Sequence, residues 1–313
     1  MKSVSAERAP KFPLITYFGG KFRIASWVIQ HLPPHDVYVE PYGGSAGVLL
    51  QKPRSRVEVY NDLDGEIVNL FRVLRDTANR AQLIEQLRLT SDSRAEFERA
   101  WQACEEPIER ARRMCIRAEM GFGSAGGTRP LHNPVGFAVD IRSHSTGQGQ
   151  WQGYPDRLAV LGERLADVLV ENWRASSVIA RYDGPDTLFY VDPPYVPNTR
   201  SSASTTGRDY RHEMTDFDHA ELLAARRNLR GMAVVSGYAS ALYDQALTDW
   251  KRVTRKVSAQ GQKGTVQRDE VLWISPAACR AAGAETSGAV VVEVDAALPL
   301  FAALGDEGNA VGG

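Results

Sequence analysis

VYVEPYGGSAGVLLQKPRSRVEVYNDLD, residues 37 to 64, decides the fold. A run of β-branched and aromatic residues, Val37 to Val39, ends in Glu40 and Pro41. A small-residue turn then leads into the apolar Val48, Leu49 and Leu50, which predict a helix. A second run, Val57 to Tyr60, ends in Asn61, Asp62 and Asp64. Strand, glycine turn, helix and strand in that order make a βαβ unit, the building block of a parallel sheet.

Working outward, KFRIASWVIQHL (21–32) spaces Phe22, Ala25, Ile29 and Leu32 along one side of a helix that Pro33 and Pro34 stop. From about residue 157 the alternation resumes. Helix DRLAVLGERLAD, strand VLVEN, helix ASSVIARYD, strand TLFYVD, helix DHAELLAARRNL, and strands GMAVVSGY and DEVLWIS follow one another. Between these halves the pattern is helical only. Ile67, Leu70, Phe71 and Leu74 mark one helix and Leu83, Ile84 and Leu87 another, while Phe97, Trp101, Cys104, Ile108, Ala111 and Cys115 continue at helical spacing. GFGSAGGTRPLHNPVGF (121–137) and SHSTGQGQWQGYP (143–155) read as long exposed loops or a hairpin. The expected architecture is an α/β Rossmann-like sheet, residues 1–72 and 165–280, with a mainly helical insertion at 73–164. The tail 281–313, rich in Ala and Gly, is expected to be flexible.

The chain has 313 residues with 43% hydrophobic content, enough to bury a full core. It contains no apolar run long enough to span a bilayer and no signal-peptide pattern in MKSVSAERAPKFP, so it is read as cytosolic. Cys104, Cys115 and Cys279 are far apart and in no C-x-x-C pair, which argues for reduced thiols. His31 and His35 flank two prolines that forbid a shared helix face, and no metal site is expected. The net charge of −1 hides an asymmetry. Five acids and no Lys or Arg lie in 281–313, leaving +4 for the rest of the chain. Lys251, Arg252, Arg255, Lys256, Lys263 and Arg268 form a run without an acid, suited either to phosphates or to a solvated face.

Ligands of open parallel sheets sit at the carboxyl ends of the strands. Three such ends carry polar residues: Glu40-Pro41-Tyr42-Gly43-Gly44-Ser45, Asn61-Asp62, and Asp192-Pro193-Pro194-Tyr195. The glycine turn permits close approach of a ligand to backbone, and Asp62 is placed to accept hydrogen bonds from ribose hydroxyls. Together they fit an adenosine-bearing cofactor. At the third end the prolines preset Asp192 and Pro193 in extended geometry. A carboxylate and a carbonyl beside a tyrosine ring then give two acceptors for a planar amino group stacked on Tyr195. Accepting both hydrogens makes a delocalised amino nitrogen more nucleophilic, which is transition-state stabilisation by positioned acceptors.

These motifs, in this order, resemble the Dam-type DNA adenine N6-methyltransferases, an α-group amino-methyltransferase family. The resemblance covers roughly residues 14 to 276. It rests on YFGGK (17–21), VEPYGGSAG, YNDLD, DPPY, the FDH of Phe217 to His219, VVSGY and EVLWISP. It implies a methyltransferase sheet that binds S-adenosylmethionine through Tyr17, Lys21, Glu40, Pro41, Gly43, Gly44, Ser45 and Asp62. It also implies catalysis by Asp192, Pro193, Pro194 and Tyr195 on an adenine flipped out of double-stranded DNA, without metal, with Asp192 also beside the cofactor. The insertion would be the target-recognition domain. Two features depart from the family pattern: in the cofactor turn Tyr42 and Ala46 replace a phenylalanine and a glycine, and after the VLVEN strand Asn172-Trp173-Arg174 stands where an acid commonly meets the cofactor's adenine. Asn172 is the neutral residue left to make that contact. Arg112, Arg113, Arg117 and Arg129 are candidates for groove or phosphate contacts, or else solvated helix residues. A monomer or weak dimer is expected. An RNA amino-methyltransferase and a catalytically dead DNA-binding fold remain the alternatives at this point.

Overall fold

The computed structural model describes residues 10–138, 147–196, 199, 210–261, 264–283 and 290–291. The βαβ reading of 37–64 places β1 (Val37–Glu40) parallel to β2 (Val57–Asn61), with Val37 opposite Val57 and Glu40 opposite Tyr60. Outside β2 lies β3 (Leu169–Glu171); on the other side of β1 come β4 (Thr187–Val191) and β5 (Met232–Tyr238), all parallel. A long antiparallel hairpin, β6 (Lys251–Gly261) and β7 (Gly264–Ile274), closes that side, and β8 (Val290–Val291) lies outside β6. Among the described residues the sheet order is β3-β2-β1-β4-β5-β7-β6-β8. Because the chain winds one way from β1 to β3 and the other way from β4, the crevice falls between the carboxyl ends of β1 and β4. The sheet has the Rossmann-like α/β architecture expected from the sequence.

Side-chain alternation sorts the core onto the two faces. Tyr38, Tyr60, Leu188, Tyr190, Val234 and Leu272 face one layer, and Val39, Val59, Phe189, Val191, Val235 and Trp273 the other. Against the second face pack residues of α7 (Ala175–Tyr182), α8 (Asp216–Ala225) and α9 (Ala241–Ala246). The first face is covered by α1 (Ala25–Ile29), α2 (Gly65–Arg75) and α10 (Pro276–Ala281), and through α2 by the insertion helices α3 (Thr77–Arg88), α4 (Arg94–Arg99), α5 (Pro107–Met120) and α6 (Gly147–Leu165). The insertion shares one continuous apolar core with the sheet: Met114, Ile116, Leu158 and Leu161 belong to the same cluster as Tyr38 and Leu188.

Three local expectations are corrected. The stretch 147–155, read as loop, is the first half of α6 despite its glycines and Pro155. Trp151 and Tyr154 are buried and stacked on each other, and the Trp151 indole N–H donates to the Thr90 carbonyl at 2.9 Å, so tertiary packing outweighs poor helix propensity. The helix expected after the glycine turn is instead a run of hydrogen-bonded turns, with Leu50 N–H donating to Ala46 O and Lys52 N–H to Val48 O. The helix expected over 21–32 is a 3-10 turn, Phe22–Ile24, followed by the short α1. The 121–137 stretch keeps its hairpin character through a bridge between Gly121 and Phe137. The tail expected to be flexible lies outside the described residues apart from 281–283 and β8, and residues 143–146 also lie outside them.

Candidate active site

Segment 14–21 delivers the first wall of the site. Leu14 and Ile15 are fully buried, and the Thr16 N–H donates to Glu119 of α5 at 2.7 Å, which pins the segment between insertion and sheet. The chain then turns at Gly19, whose φ of +73° favours glycine and where a Cβ would strike the Tyr210 hydroxyl. Lys21 thereby points inward and is 6% exposed.

At the end of β1, Glu40 is buried and accepts from the Tyr38 hydroxyl at 2.7 Å and the Leu49 N–H at 2.8 Å. Burial pushes its carboxyl up to about 8, against those two hydrogen bonds. The turn that follows is tied to β2. Gly43 N–H donates to Asn61 O, a Cβ on Gly43 would strike the Tyr60 ring, and Gly44, at φ +48°, donates to Asp62 Oδ2 at 2.9 Å. Asp62 Oδ1 accepts from Asp64 N–H at 2.8 Å, and burial raises its carboxyl to about 6. Beyond its amide bonds the Asp62 carboxylate keeps lone-pair capacity for a hydroxyl donor. Asn61 is fully buried. Its side chain bonds Pro41 O at 2.8 Å and both the N–H and carbonyl of Trp173, clamping the loops after β1 and β3 together.

At the end of β4, two donors converge on one oxygen of Asp192. Lys21 Nζ lies 2.7 Å from Oδ1, and the Ser236 hydroxyl donates to the same atom at 2.8 Å. That spends the Ser236 proton, so Tyr190, at 3.0 Å, donates to Ser236. Lys21 also donates to the Tyr195 hydroxyl at 2.8 Å and to Gly19 O at 3.1 Å, while Glu270 of β7 lies 3.7 Å from it. Burial alone would favour the neutral amine of Lys21, but Asp192 and Glu270 overcome it and hold its pKa above the ordinary lysine value. Burial raises the Asp192 carboxyl, with Lys21 opposing. Tyr195 is 9% exposed and its ring stacks on Tyr238 at 4.1 Å between centroids, with Arg268 at 5.8 Å from the Tyr238 ring.

These three strand ends open on one cavity of about 400 Å³, within the size range of small-molecule sites. Tyr17, Lys21, Glu40, Pro41, Gly43, Gly44, Ser45, Asp62, Asp192, Pro193 and Pro194 all line it. Tyr195 does not, being turned against Tyr238. Asn172 is likewise outside the lining, because its amide donates to the carbonyls of Asp62 at 2.8 Å and Leu63 at 3.2 Å. It braces the Asp62 loop, and its neighbours Trp173 and Arg174 take its place at the wall.

Sequence reading missed the opposite wall, Tyr210 to Met214, in which Arg211 pairs with Asp64 at 2.8 Å and donates to Arg129 O at 3.0 Å. It also missed Ser236, Tyr238 and Glu270, although VVSGY and EVLW had drawn notice. Three of the candidate groove arginines are structural. Arg117 is 1% exposed and bonds Glu66 and Ala100 O, Arg113 bonds Glu109 and Gln102 O, and Arg112 bonds Glu109 and Glu96. The acids one turn earlier on α5 were the available signal for the last two. Of the basic run, Arg252 pairs with Asp244 and Arg255 lies over Trp27, while Lys263 falls outside the described residues. Among the described residues no cluster of His, Cys, Asp and Glu could hold a metal ion, and no helix is long and apolar enough to cross a membrane.

Residues 17–117 match the family model of D12 class N6 adenine-specific DNA methyltransferases. The chain is similar to the protein named DNA adenine methylase in Salmonella typhi, 24% identical over 271 residues, which cover 82% of this chain and 93% of that one. The Salmonella typhimurium protein of the same name matches with the same identity and coverage. Among solved structures, precorrin 8w decarboxylase from Methanobacterium thermoautotrophicum aligns over 81% of this chain and 89% of its own, at 10% identity and a TM-score of 0.32, too low to bear on the fold.

Proposed function

We infer that this chain, an N6 adenine-specific DNA methyltransferase of the Dam type, performs its reaction where Lys21 and Asp192 meet, with S-adenosylmethionine in the adjoining cavity. The residues suit that cofactor. Asp62 offers acceptor capacity for ribose hydroxyls, small residues at Gly43, Gly44 and Ser45 let a ligand approach the backbone, and Asp192 supplies negative charge for a cationic centre, while Glu40, protonated below about pH 8, lines the same wall as a neutral group. Trp173, nearly half exposed beside Leu63, gives the adenine an aromatic wall in place of the Asn172 contact expected from the sequence. When bound, the cofactor supplies an activated methyl group on sulfur.

The observation that carries the reading is the asymmetry of Asp192. Lys21 and Ser236 both hold Oδ1, and no described residue bonds Oδ2, on a residue that lines the cavity. Oδ2 and the Pro193 carbonyl are the two acceptors for the target amino group. Asp192 Oδ2 and the Pro193 carbonyl would orient the N6 lone pair toward the cavity, where the bound cofactor would supply the methyl group that N6 accepts. The proton then lost from N6 passes to Asp192 or to water. Proximity and alignment supply much of the acceleration. Extruding the adenine costs about a few kcal/mol, and stacking on an aromatic ring returns about 1 to 3 kcal/mol of it. The helical insertion, 73–164, is the segment assigned to recognising duplex DNA, and the place of action is the cytoplasm.

Labelled methyl transfer from S-adenosylmethionine to adenine-containing duplex DNA and, separately, to RNA tests the reading. Label in N6-methyladenine of the DNA alone is expected. Label confined to RNA, or to cytosine, would end it.

A further inference from the structure

We propose that Glu270 is a positioning residue for methyl transfer: it holds Lys21 and the Tyr195 hydroxyl to one side of Asp192, so that Oδ2 stays open to the target amino group. This rests on the reading of the site given above.

Glu270 is 2% exposed on β7, and it does not line the cofactor cavity. A carboxylate in such a place is costly unless paired. Among the described residues its partners are Lys21, 3.7 Å away, and the Tyr195 hydroxyl, 3.2 Å from Oε2. The direction of every bond in the group is fixed by chemistry, because an ammonium only donates. Lys21 spends its three N–H bonds on Asp192 Oδ1, Tyr195 and Gly19 O. Tyr195, having accepted, donates onward to Glu270. Lys21 thus donates outward in both directions, to Asp192 on one side and to Tyr195 on the other, with Tyr195 donating on to Glu270, so that each end of the chain is a carboxylate.

The charges explain why two acids are needed. Lys21 is shared between Asp192 and Glu270. With Glu270 neutral, the ammonium would face Asp192 alone, and in a poorly solvated site that attraction is strong. It would close over the whole carboxylate and compete with the amino group for Oδ2. The other titratable groups around Glu270 are Tyr190 and Tyr195 from β4 and the loop after it and Tyr238, its register partner on β5. Arg255 is its partner on β6. None of these places a second cation within ion-pair distance of Glu270 among the described residues.

The test compares native enzyme, Glu270→Gln and Glu270→Asp in steady-state methylation of adenine-unmethylated plasmid DNA across pH, alongside thermal melts. Gln keeps the shape and the Tyr195 bond but loses the charge. Its kcat is expected to fall at least about tenfold while the KM for S-adenosylmethionine stays within about twofold, the split expected when an interaction acts only in the transition state. The acidic limb of kcat should move to lower pH, since removing a neighbouring negative charge makes Asp192 easier to ionise. Asp, which retains the charge one methylene back, should lie between native and Gln in rate. A Gln variant with native kcat and an unmoved acidic limb overturns the proposal. If the Gln variant fails to fold, an Asp variant as slow as Glu270→Ala does the same. A native enzyme that leaves DNA unmethylated would count against the function itself, whereas an active native enzyme with an indifferent Gln variant counts against Glu270 alone.

Discussion

Tyr195 lies flat against Tyr238, ring on ring at 4.1 Å and within 10° of parallel. The face that a flipped adenine would use is therefore either the opposite side of Tyr195 or one vacated by Tyr238. Fluorescence from a 2-aminopurine placed at the target position distinguishes the contributions of the two rings. Tyr195→Ala is expected to abolish the quench on binding, and Tyr238→Ala to retain it. The latter should lower stability by about 1 kcal/mol for the lost aromatic pair, more if a cavity remains.

Asp192→Ala removes the acceptor proposed for the reacting nitrogen and leaves Glu270 as the one carboxylate paired with Lys21 among the described residues. Methyl transfer to DNA is expected to fall below detection while calorimetry still registers cofactor binding, because Asp62 and the glycine turn are untouched. Turnover near the native rate would remove Asp192 from the chemistry.

The ribose assignment makes a pH prediction. Hydroxyl donors need Asp62 ionised, and burial raises its carboxyl to about 6. Cofactor affinity should weaken as pH falls through 6 and level off above it. Asp62→Asn should bind more weakly near pH 8 and show no such dependence.

Glu40 links stability to pH. Its carboxyl rises from 4.5 to about 8 on folding, so the folded state holds a proton that the unfolded state releases. The contribution is fully present below 4.5 and is lost as pH rises through 8. Glu40→Gln keeps an acceptor for Tyr38 and Leu49 and carries no charge. Urea unfolding at pH 5 and pH 8 should show the variant gaining stability relative to the native protein at the higher pH.

Arg117 is a strut of the insertion, tying α5 to Glu66 of α2 and to the Ala100 carbonyl. Arg117→Met should cost about 3 kcal/mol, the scale for breaking a buried pair, moderated because Arg110 still reaches Glu66. The salt dependence of DNA binding should not change, since a groove or phosphate contact would alter that slope and a buried strut does not.

Most of the parallel sheet could be read from the chain because its period-2 and helical patterns agree with the burial that the fold requires. Val39 and Tyr38 go to opposite faces, and the polar residues fall at the strand ends. The glycine turn, Asp62 and DPPY were legible for the same reason. What escaped notice depends on contacts between distant segments. The first half of α6 is helical because Trp151 and Tyr154 have partners elsewhere in the insertion, which no local propensity encodes. β6 gives no strand signal of its own, since its mix of Lys, Arg, Val and Thr suits an exposed basic patch as well as a strand. In the sequence Glu270 is one acid beside another, Asp269, and only the folded sheet, with β7 antiparallel to β5, brings it within 3.7 Å of Lys21. Arg211 gave no signal because its partners, Asp64 and Arg129, sit in other parts of the chain.

The cluster around Lys21 spans nearly the whole polypeptide: 174 residues separate Lys21 from Tyr195, and a further 75 separate Tyr195 from Glu270. A nascent chain emerging from the ribosome can therefore form the cofactor turn early, yet it must wait for the last long strand before the ammonium acquires its second counter-charge. Fragments that stop short of the closing hairpin would carry a recognisable cofactor crevice and an ungoverned lysine. The set of groups around Lys21 is complete only once the chain extends through Glu270.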